Sequence, residues 1–303
     1  MPPMTNTSKI TPPSQRPHSA PYTGLGARSA KRFLAAQFSE AGLPTPDIDA
    51  RALILAATGL THAELIAHGA KVLPDDIYTR IQDYARRRLS GEPVDHILGV
   101  RGFYGRDFKI TKDVLSPRPD SEVLIDKALE LLSTRPSATI LDLGTGSGAL
   151  IVTLLAECPK TGGVCVDISE AALGVAKNNA HKHAVENRLS AIQSDWFEHI
   201  TGQYDLIISN PPYIDGAAMK TLSLEVAQFD PALALYGGED GLAAYRIIAE
   251  QAAQYLKTGG HMVLEIGYDQ GQSVPDLLAN AGWTNILVHK DLAGHDRCIT
   301  ACL

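Results

Sequence analysis

The sequence predicts an α/β fold, a mostly parallel sheet with helices on both faces, with a small helical bundle and a β-hairpin linker ahead of it. Three observations predict it. From Ser137 onward short apolar strands alternate with helical stretches, the pattern that builds βαβ units. Between Arg28 and Ser90 apolar residues recur instead at three- and four-residue spacing, as short helices require. The last two strands are joined too tightly for a crossover and must run antiparallel.

The chain has 303 residues, enough for one medium domain and a small one. With 45% hydrophobic and 20% charged residues it has the make-up of an ordinary globular protein. No apolar run approaches the roughly 20 residues that span a bilayer, and no signal-peptide core follows the N-terminus, so no membrane association is expected. The four cysteines form no CxxC pair, and a reducing, cytoplasmic setting is expected. A net charge of -7 argues against a surface that grips long stretches of nucleic-acid backbone. The one basic run, Arg86-Arg87-Arg88, reads as the solvated C-terminal end of a helix, where cations oppose the dipole.

Residues 1–27 are rich in Pro, Ser and Thr, lack acidic residues and show no periodicity, so they read as a disordered extension. Residues 28–92 read as a helical domain. Leu34, Phe38, Ala50, Leu53, Ile54 and Ala57 carry the spacing, and turn signals at Gly42-Leu43-Pro44 and Val72-Leu73-Pro74-Asp75 divide it. Asp75 is placed to cap the helix through Ile77, Ile81 and Tyr84. Residues 93–115, from Val94-Asp95-His96-Ile97 to Phe108-Lys109-Ile110, read as β-rich, a hairpin linker. The remainder, 116–303, holds strands at Thr139–Leu143, Gly163–Asp167, Ala191–Ser194, Tyr204–Ser209 and His261–Ile266. Helices fall between them at Ala149–Glu157, Ala171–His183 and Leu242–Leu256, and the antiparallel pair is Asn285–His289 with Cys298–Cys302.

Two segments carry chemistry. The first strand runs into Gly144-Thr145-Gly146-Ser147-Gly148-Ala149. Glycines there allow a tight turn and bring bare backbone against a ligand at a helix N-terminus. Asp167 ends the next strand, near the offset at which a carboxylate meets ribose hydroxyls. Asp195 and Trp196 close the third strand, where the acid could accept from an adenine amino group and the indole could cover the ring. The loop also satisfies the relaxed dinucleotide pattern G-x-G-x-x-A, so a nicotinamide enzyme stays in view on these residues alone.

The second segment, Asn210-Pro211-Pro212-Tyr213, follows the fourth strand. Two prolines cannot continue a central strand, and their fixed φ angles stiffen the segment. Such a clamp suits a planar, conjugated nitrogen. The Asn210 side-chain oxygen and the Pro211 carbonyl would accept its two N–H bonds, Tyr213 would stack on the plane, and the lone pair would face an electrophilic methyl. Three other features get the plainer reading. His181 and His183 point apart on a helix. His295 and Cys298 lack the remaining ligands of a zinc site, so no metal is expected, and Glu265, at a strand end, reads as packing or as support behind the site.

Taken together, Asp142–Gly148 and Asn210–Tyr213 resemble the seven-stranded S-adenosylmethionine methyltransferases that act on planar nitrogen. Gly91–Gly99, Phe103-Tyr104-Gly105, Ser116–Glu122, Ser194–Phe197, Tyr236–Gly241 and Leu264–Gly267 narrow the resemblance to the PrmC/HemK family, the peptide chain release factor glutamine methyltransferases. It covers residue 28 to the end. It implies S-adenosyl-L-methionine as cofactor and, as substrate, the glutamine of the Gly-Gly-Gln loop in class-one release factors. By motif position it implies cofactor contacts at Gly144, Thr145, Gly146, Ser147, Gly148, Asp167, Asp195, Trp196 and Asn210. Asn210, Pro211, Pro212 and Tyr213 would hold the glutamine, and Arg118 with its flanking prolines would lie in a segment covering the cofactor. Ser121 stands where the family motif has Thr, which leaves the hydroxyl in place. Amino methyltransferases acting on adenine in DNA or RNA share the clamp and are the alternative, but usually bring a basic recognition domain that this chain lacks. A monomer is the default.

Overall fold

The computed structural model describes residues 24–303, and the Pro/Ser/Thr-rich segment ahead of them lies outside the described residues. The chain divides between Leu89 and Ser90 into two compact units.

The first unit is helical: α1 (Ala27–Glu40), α2 (Pro46–Thr58), α3 (His62–His68) and α4 (Asp75–Leu89). Leu34 and Phe38 of α1, Leu53, Ile54 and Ala57 of α2, and Ile81 and Ala85 of α4 are buried, and α2 packs against both α1 and α4. Gly59 ends α2 in the left-handed region, at φ 70°, and Thr61 and Glu64 form a reciprocal capping box on α3. The helical unit starts ahead of Arg28. Ala27 is already in α1, and the Leu25 carbonyl accepts the Tyr78 hydroxyl at 2.6 Å. Asp75 is the first residue of α4 rather than its cap, and the Pro74 carbonyl takes the N–H groups of Ile77 and Tyr78.

The arginine run departs from its solvated reading at one position. Arg86 is exposed, but Arg88 is 3% exposed and its Nε donates to Asp49 at 2.7 Å. Thr45 donates to the other Asp49 oxygen at 2.8 Å, so the buried acid is doubly held. Helical periodicity puts Arg88 on the face of Ile81 and Ala85, and a buried guanidinium there needs a paired acid.

The second unit opens with α5 (Val94–Leu98) and the antiparallel hairpin β1 (Val100–Phe103) and β2 (Arg106–Lys109). Residues 94–98 read as β-rich in the sequence but form one helical turn. Pro93 fits its N-cap at φ -61°, and Gly99 ends it at φ 67°. Next come α6 (Glu122–Leu132), β3 (Thr139–Leu143), α7 (Ala149–Glu157), β4 (Gly162–Asp167), α8 (Glu170–Lys182), β5 (Leu189–Gln193) and β6 (Tyr204–Ser209). The chain finishes with α9 (Leu224–Phe229), α10 (Ala243–Gln251), β7 (Leu256–Glu265), α11 (Ser273–Asn280), β8 (Thr284–Lys290) and β9 (Asp296–Cys302).

The seven strands order as β5-β4-β3-β6-β7-β9-β8. The five from β5 to β7 run parallel, and β9 is antiparallel to both neighbours, as the short final connection requires. One face packs against α6, α7 and α8 through Leu124, Ile125, Ile151 and Ala176. The other packs against α10 and α11 through Tyr245, Ile248, Val274 and Leu278. Phe103 and Phe108 of the hairpin enter the first of these cores. Strand order reverses between β3 and β6, and open α/β sheets bind ligands outside the carboxyl ends at such a switch point. Among the described residues no single helix is long and apolar enough to cross a membrane.

Candidate active site

At that switch point the backbone of β3 turns sharply. Gly144, Gly146 and Gly148 have φ of 66°, 54° and 78°, a region that L side chains rarely adopt. A Cβ on Gly144 or Gly146 would stand in open space, so these two present bare backbone. Gly148 is packed instead: a Cβ there would lie 3.1 Å from that of Ala176. The loop is tied down from three sides. Thr145 donates its N–H to the Val166 carbonyl at 2.8 Å and its hydroxyl to Asp142 at 2.6 Å. Burial pushes the Asp142 carboxyl up to about 7 despite that bond. Asn179, fully buried on α8, donates to the Ser147 carbonyl at 2.8 Å and exchanges bonds with the backbone of Lys109, joining the loop to the hairpin.

Asp167 ends β4 with both oxygens engaged, one taking the Gly146 N–H and the other the Ser169 N–H, each at 2.9 Å. Burial raises its pKa, and the backbone N–H groups of Ser169, Gly146 and Ile168 oppose that shift. Asp195 is exposed, while Trp196, held at φ 46°, is half-buried.

Two cavities open on these residues. The first, about 310 Å³, is lined by Gly144, Thr145, Gly146, Ser147, Asp167, Asp195, Trp196, Asn210 and Pro212. Ile168, Leu115, Pro117 and Leu233 add apolar wall. The second, about 290 Å³, is lined by Arg118, Asn210, Tyr213, Ile214 and Val226 among others. Asn210, Leu115 and Ala234 line both. Gly148 and Pro211 line neither. Gly148 caps α7, and Pro211 is buried with no N–H or O–H of the described residues bonded to its carbonyl.

The segment 116–121 runs along these cavities, with Pro117 and Ser121 on the first and Arg118 on the second. Three side chains pin it. Ser116 donates to Asp95, Arg118 sits 3.7 Å from Asp230, and Ser121 donates to Glu265.

The first cavity suits S-adenosylmethionine. Bare glycine backbone and a helix N-terminus meet a carboxylate fit for vicinal hydroxyls, beside an exposed acid and an indole suited to a purine. Asp167 cradles the loop with both oxygens and keeps lone pairs facing the cavity for a ligand's hydroxyls. Asp167→Ala is expected to weaken cofactor binding about 100-fold, since hydrogen bonds to a charged group are worth roughly 1.5–3 kcal/mol each. Titration calorimetry with S-adenosylmethionine checks this, and a loss under about threefold would remove Asp167 from the site.

Sequence reasoning noted two parts of the site without giving them a task there. Glu265, read as packing or as support behind the site, is 1% exposed and accepts from Ser121 and, at 3.4 Å, from the Tyr213 hydroxyl. Its signal was its place at the carboxyl end of β7, one residue past Leu264, which pairs with Ser209. The second is the pad beneath the clamp. Ile214 N–H donates to Leu235 and Gly237 N–H to Ile214, both at 2.9 Å, so Tyr236–Gly238 supports Pro212 and Tyr213.

Residues 121–229 match the Methyltransferase small domain family, and residues 29–99 match the PrmC N-terminal domain family. The chain is 43% identical over 264 residues to an Agrobacterium fabrum protein named release factor glutamine methyltransferase, covering 86% of this chain and 91% of that one. A protein of the same name from Cereibacter sphaeroides is 43% identical over 279 residues, covering 92% of this chain and 99% of that one. Among solved structures, a T. thermophilus 16S rRNA N2 G1207 methyltransferase in complex with AdoMet and guanosine is 22% identical. It covers 67% of this chain and 49% of that chain, with a TM-score of 0.48.

Proposed function

The chain belongs to the release factor glutamine methyltransferase family, and from that premise we propose how its site performs the reaction. It transfers a methyl group from S-adenosylmethionine to the side-chain amide nitrogen of a release factor glutamine. The acceptor in our reading is the glutamine of the Gly-Gly-Gln loop of class-one release factors. The enzyme works as a cytoplasmic monomer and recognises the protein rather than nucleic acid.

One observation carries the assignment of roles: two cavities meet at Asn210. Gly144–Ser147, Asp167, Asp195 and Trp196 hold the cofactor in the first. Bound S-adenosylmethionine supplies a methyl carbon made electrophilic by its sulfonium. In the second, the glutamine carboxamide enters beside Tyr213.

An amide nitrogen is a poor nucleophile because its lone pair is delocalised into the carbonyl, so placement must supply much of the rate. The Asn210 side-chain oxygen and the Pro211 carbonyl accept the two N–H bonds, which turns the lone pair out of the plane toward the first cavity. The stiff Pro211-Pro212 backbone keeps these acceptors fixed, and preorganised dipoles need no rearrangement as charge develops on nitrogen. The N-methylated nitrogen is strongly acidic and releases its proton to solvent without a dedicated base. Tyr213 contributes its ring plane. Burial pushes its hydroxyl up to about 12, so it stays a donor to Glu265 at neutral pH.

The test is mass spectrometry of a purified release factor after incubation with the enzyme and S-adenosylmethionine. One added methyl mapping to the Gly-Gly-Gln glutamine is the expected result. An unmodified glutamine, or label entering nucleic acid instead, overturns the assignment.

A further inference from the structure

We propose that Glu265 is a positioning residue that sets, through Ser121, which end of the Asn210 amide faces the acceptor glutamine. The proposal rests on the clamp reading above and deepens it.

Ser121 donates its hydroxyl proton to one Glu265 oxygen, and the Tyr213 hydroxyl donates to the other at 3.4 Å. The Asn210 Nδ2 donates to the Ser121 oxygen at 3.4 Å. One buried carboxylate therefore joins both ends of Asn210–Tyr213. An ionised carboxylate only accepts hydrogen bonds, and a serine hydroxyl has one proton to give. With that proton committed to Glu265, Ser121 offers Asn210 only lone pairs. The NH₂ end of Asn210 satisfies them, which leaves the carbonyl oxygen as the end available to the substrate. The chain of bonds thus has a direction, and Glu265 imposes it.

Reversing that direction disables the clamp. A protonated Glu265, or a glutamine in its place, can donate to Ser121. The Ser121 proton is then free for the Asn210 oxygen, the amide turns over, and its NH₂ opposes the glutamine N–H groups, donor against donor.

The groups facing Glu265 come from four elements. Ser121 and Arg118 precede α6, Tyr213 follows β6, and Arg297 and Cys298 lie on β9. Tyr245 of α10 donates to the Glu265 backbone carbonyl at 2.8 Å, and Asp120 sits 3.7 Å from Arg297. Burial pushes the Glu265 carboxyl up to about 7, against the pull of the Ser121 bond and the two arginines. The direction of the relay therefore reverses near neutrality, and turnover rises as Glu265 ionises.

Four variants test this in single-turnover kinetics across the neutral range. Glu265→Gln is expected to lower the rate about 100-fold, the scale of losing one preorganised catalytic contact, and to abolish the acid limb of the pH profile. KM for S-adenosylmethionine should hold. So should folding: the folded carboxyl keeps its proton at a higher pH than the unfolded one, so ionising it costs stability as pH rises, and the amide is spared that cost. The thermal midpoint of Glu265→Gln at alkaline pH should equal or exceed that of the parent. Ser121→Ala should fall by about 10-fold or more with the same loss of the limb, whereas Ser121→Thr, which keeps the hydroxyl, should retain both rate and limb. A Glu265→Gln enzyme with the parent rate and pH profile overturns the relay. If Asn210→Ala also turns over normally, the clamp reading itself falls. If Asn210→Ala is dead while Glu265→Gln is normal, only the relay does.

Discussion

Asn210→Ala lowers methyl transfer by about a thousandfold or more while the protein stays folded. Two effects add. Losing one preorganised polar contact in an active site costs about 10²–10³ in rate, and the acceptor nitrogen also loses an anchor that fixes its orientation. The fold is spared because the Asn210 side chain is half-buried beside cavities and, among the described residues, its one side-chain hydrogen bond is the 3.4 Å contact with Ser121. Turnover measured with purified release factor, alongside circular dichroism and a thermal melt, separates lost catalysis from lost folding. Normal turnover would show that something other than Asn210 holds the amide.

The second large effect is expected one layer away. Gly237→Ala lowers kcat/KM about 100-fold by displacing the clamp, although Gly237 also lies on the wall of the first cavity. A Cβ at this position would lie 2.7 Å from the Pro212 oxygen and 2.7 Å from the Tyr213 Cα, closer than real Cβ atoms come, and both obstacles are backbone. The clamp must move, and displacement of reacting groups by about 1 Å costs about 100-fold. Gly174→Ala supplies the contrast. It sits exposed on α8 with nothing within 4 Å of the new carbon, so it should leave turnover unchanged and stabilise the helix by roughly 0.5–1 kcal/mol. Equal kinetics for the two variants would mean that the Tyr236–Gly238 pad does not position the clamp.

The central strands β3 and β6 were legible because they are buried and short, so apolar runs between turn signals marked them. β3 and β6 fall where the sequence put them, as does α7. Where the reading stopped short, local and tertiary effects compete. β7 begins at Leu256 rather than His261, because Gly259 and Gly260 look like a turn but form an irregularity inside the strand pairing. The turn of α5 contains Val94 and Ile97, residues that favour strands, and is fixed by its two end residues. α6 and α11 were not read, although Leu124, Ile125, Ala128 and Leu132 have helical spacing; α11 is short and carries Pro275 in its first turn.

The site divides in the same way. The glycine loop and Asn210–Tyr213 are contiguous, so their chemistry can be read from neighbours in the chain. The bond from Ser121 to Glu265 spans 144 positions, and neither residue announces the other. Arg88 and Asp49, 39 positions apart, hid their pairing for the same reason.

The shared wall at Asn210 has a kinetic consequence. If donor and acceptor occupy the two cavities as proposed, neither needs to leave before the other arrives. Initial rates should give intersecting rather than parallel double-reciprocal lines. Spent cofactor could be exchanged while a release factor remains docked, so a slow-dissociating protein partner need not hold up recharging of the enzyme.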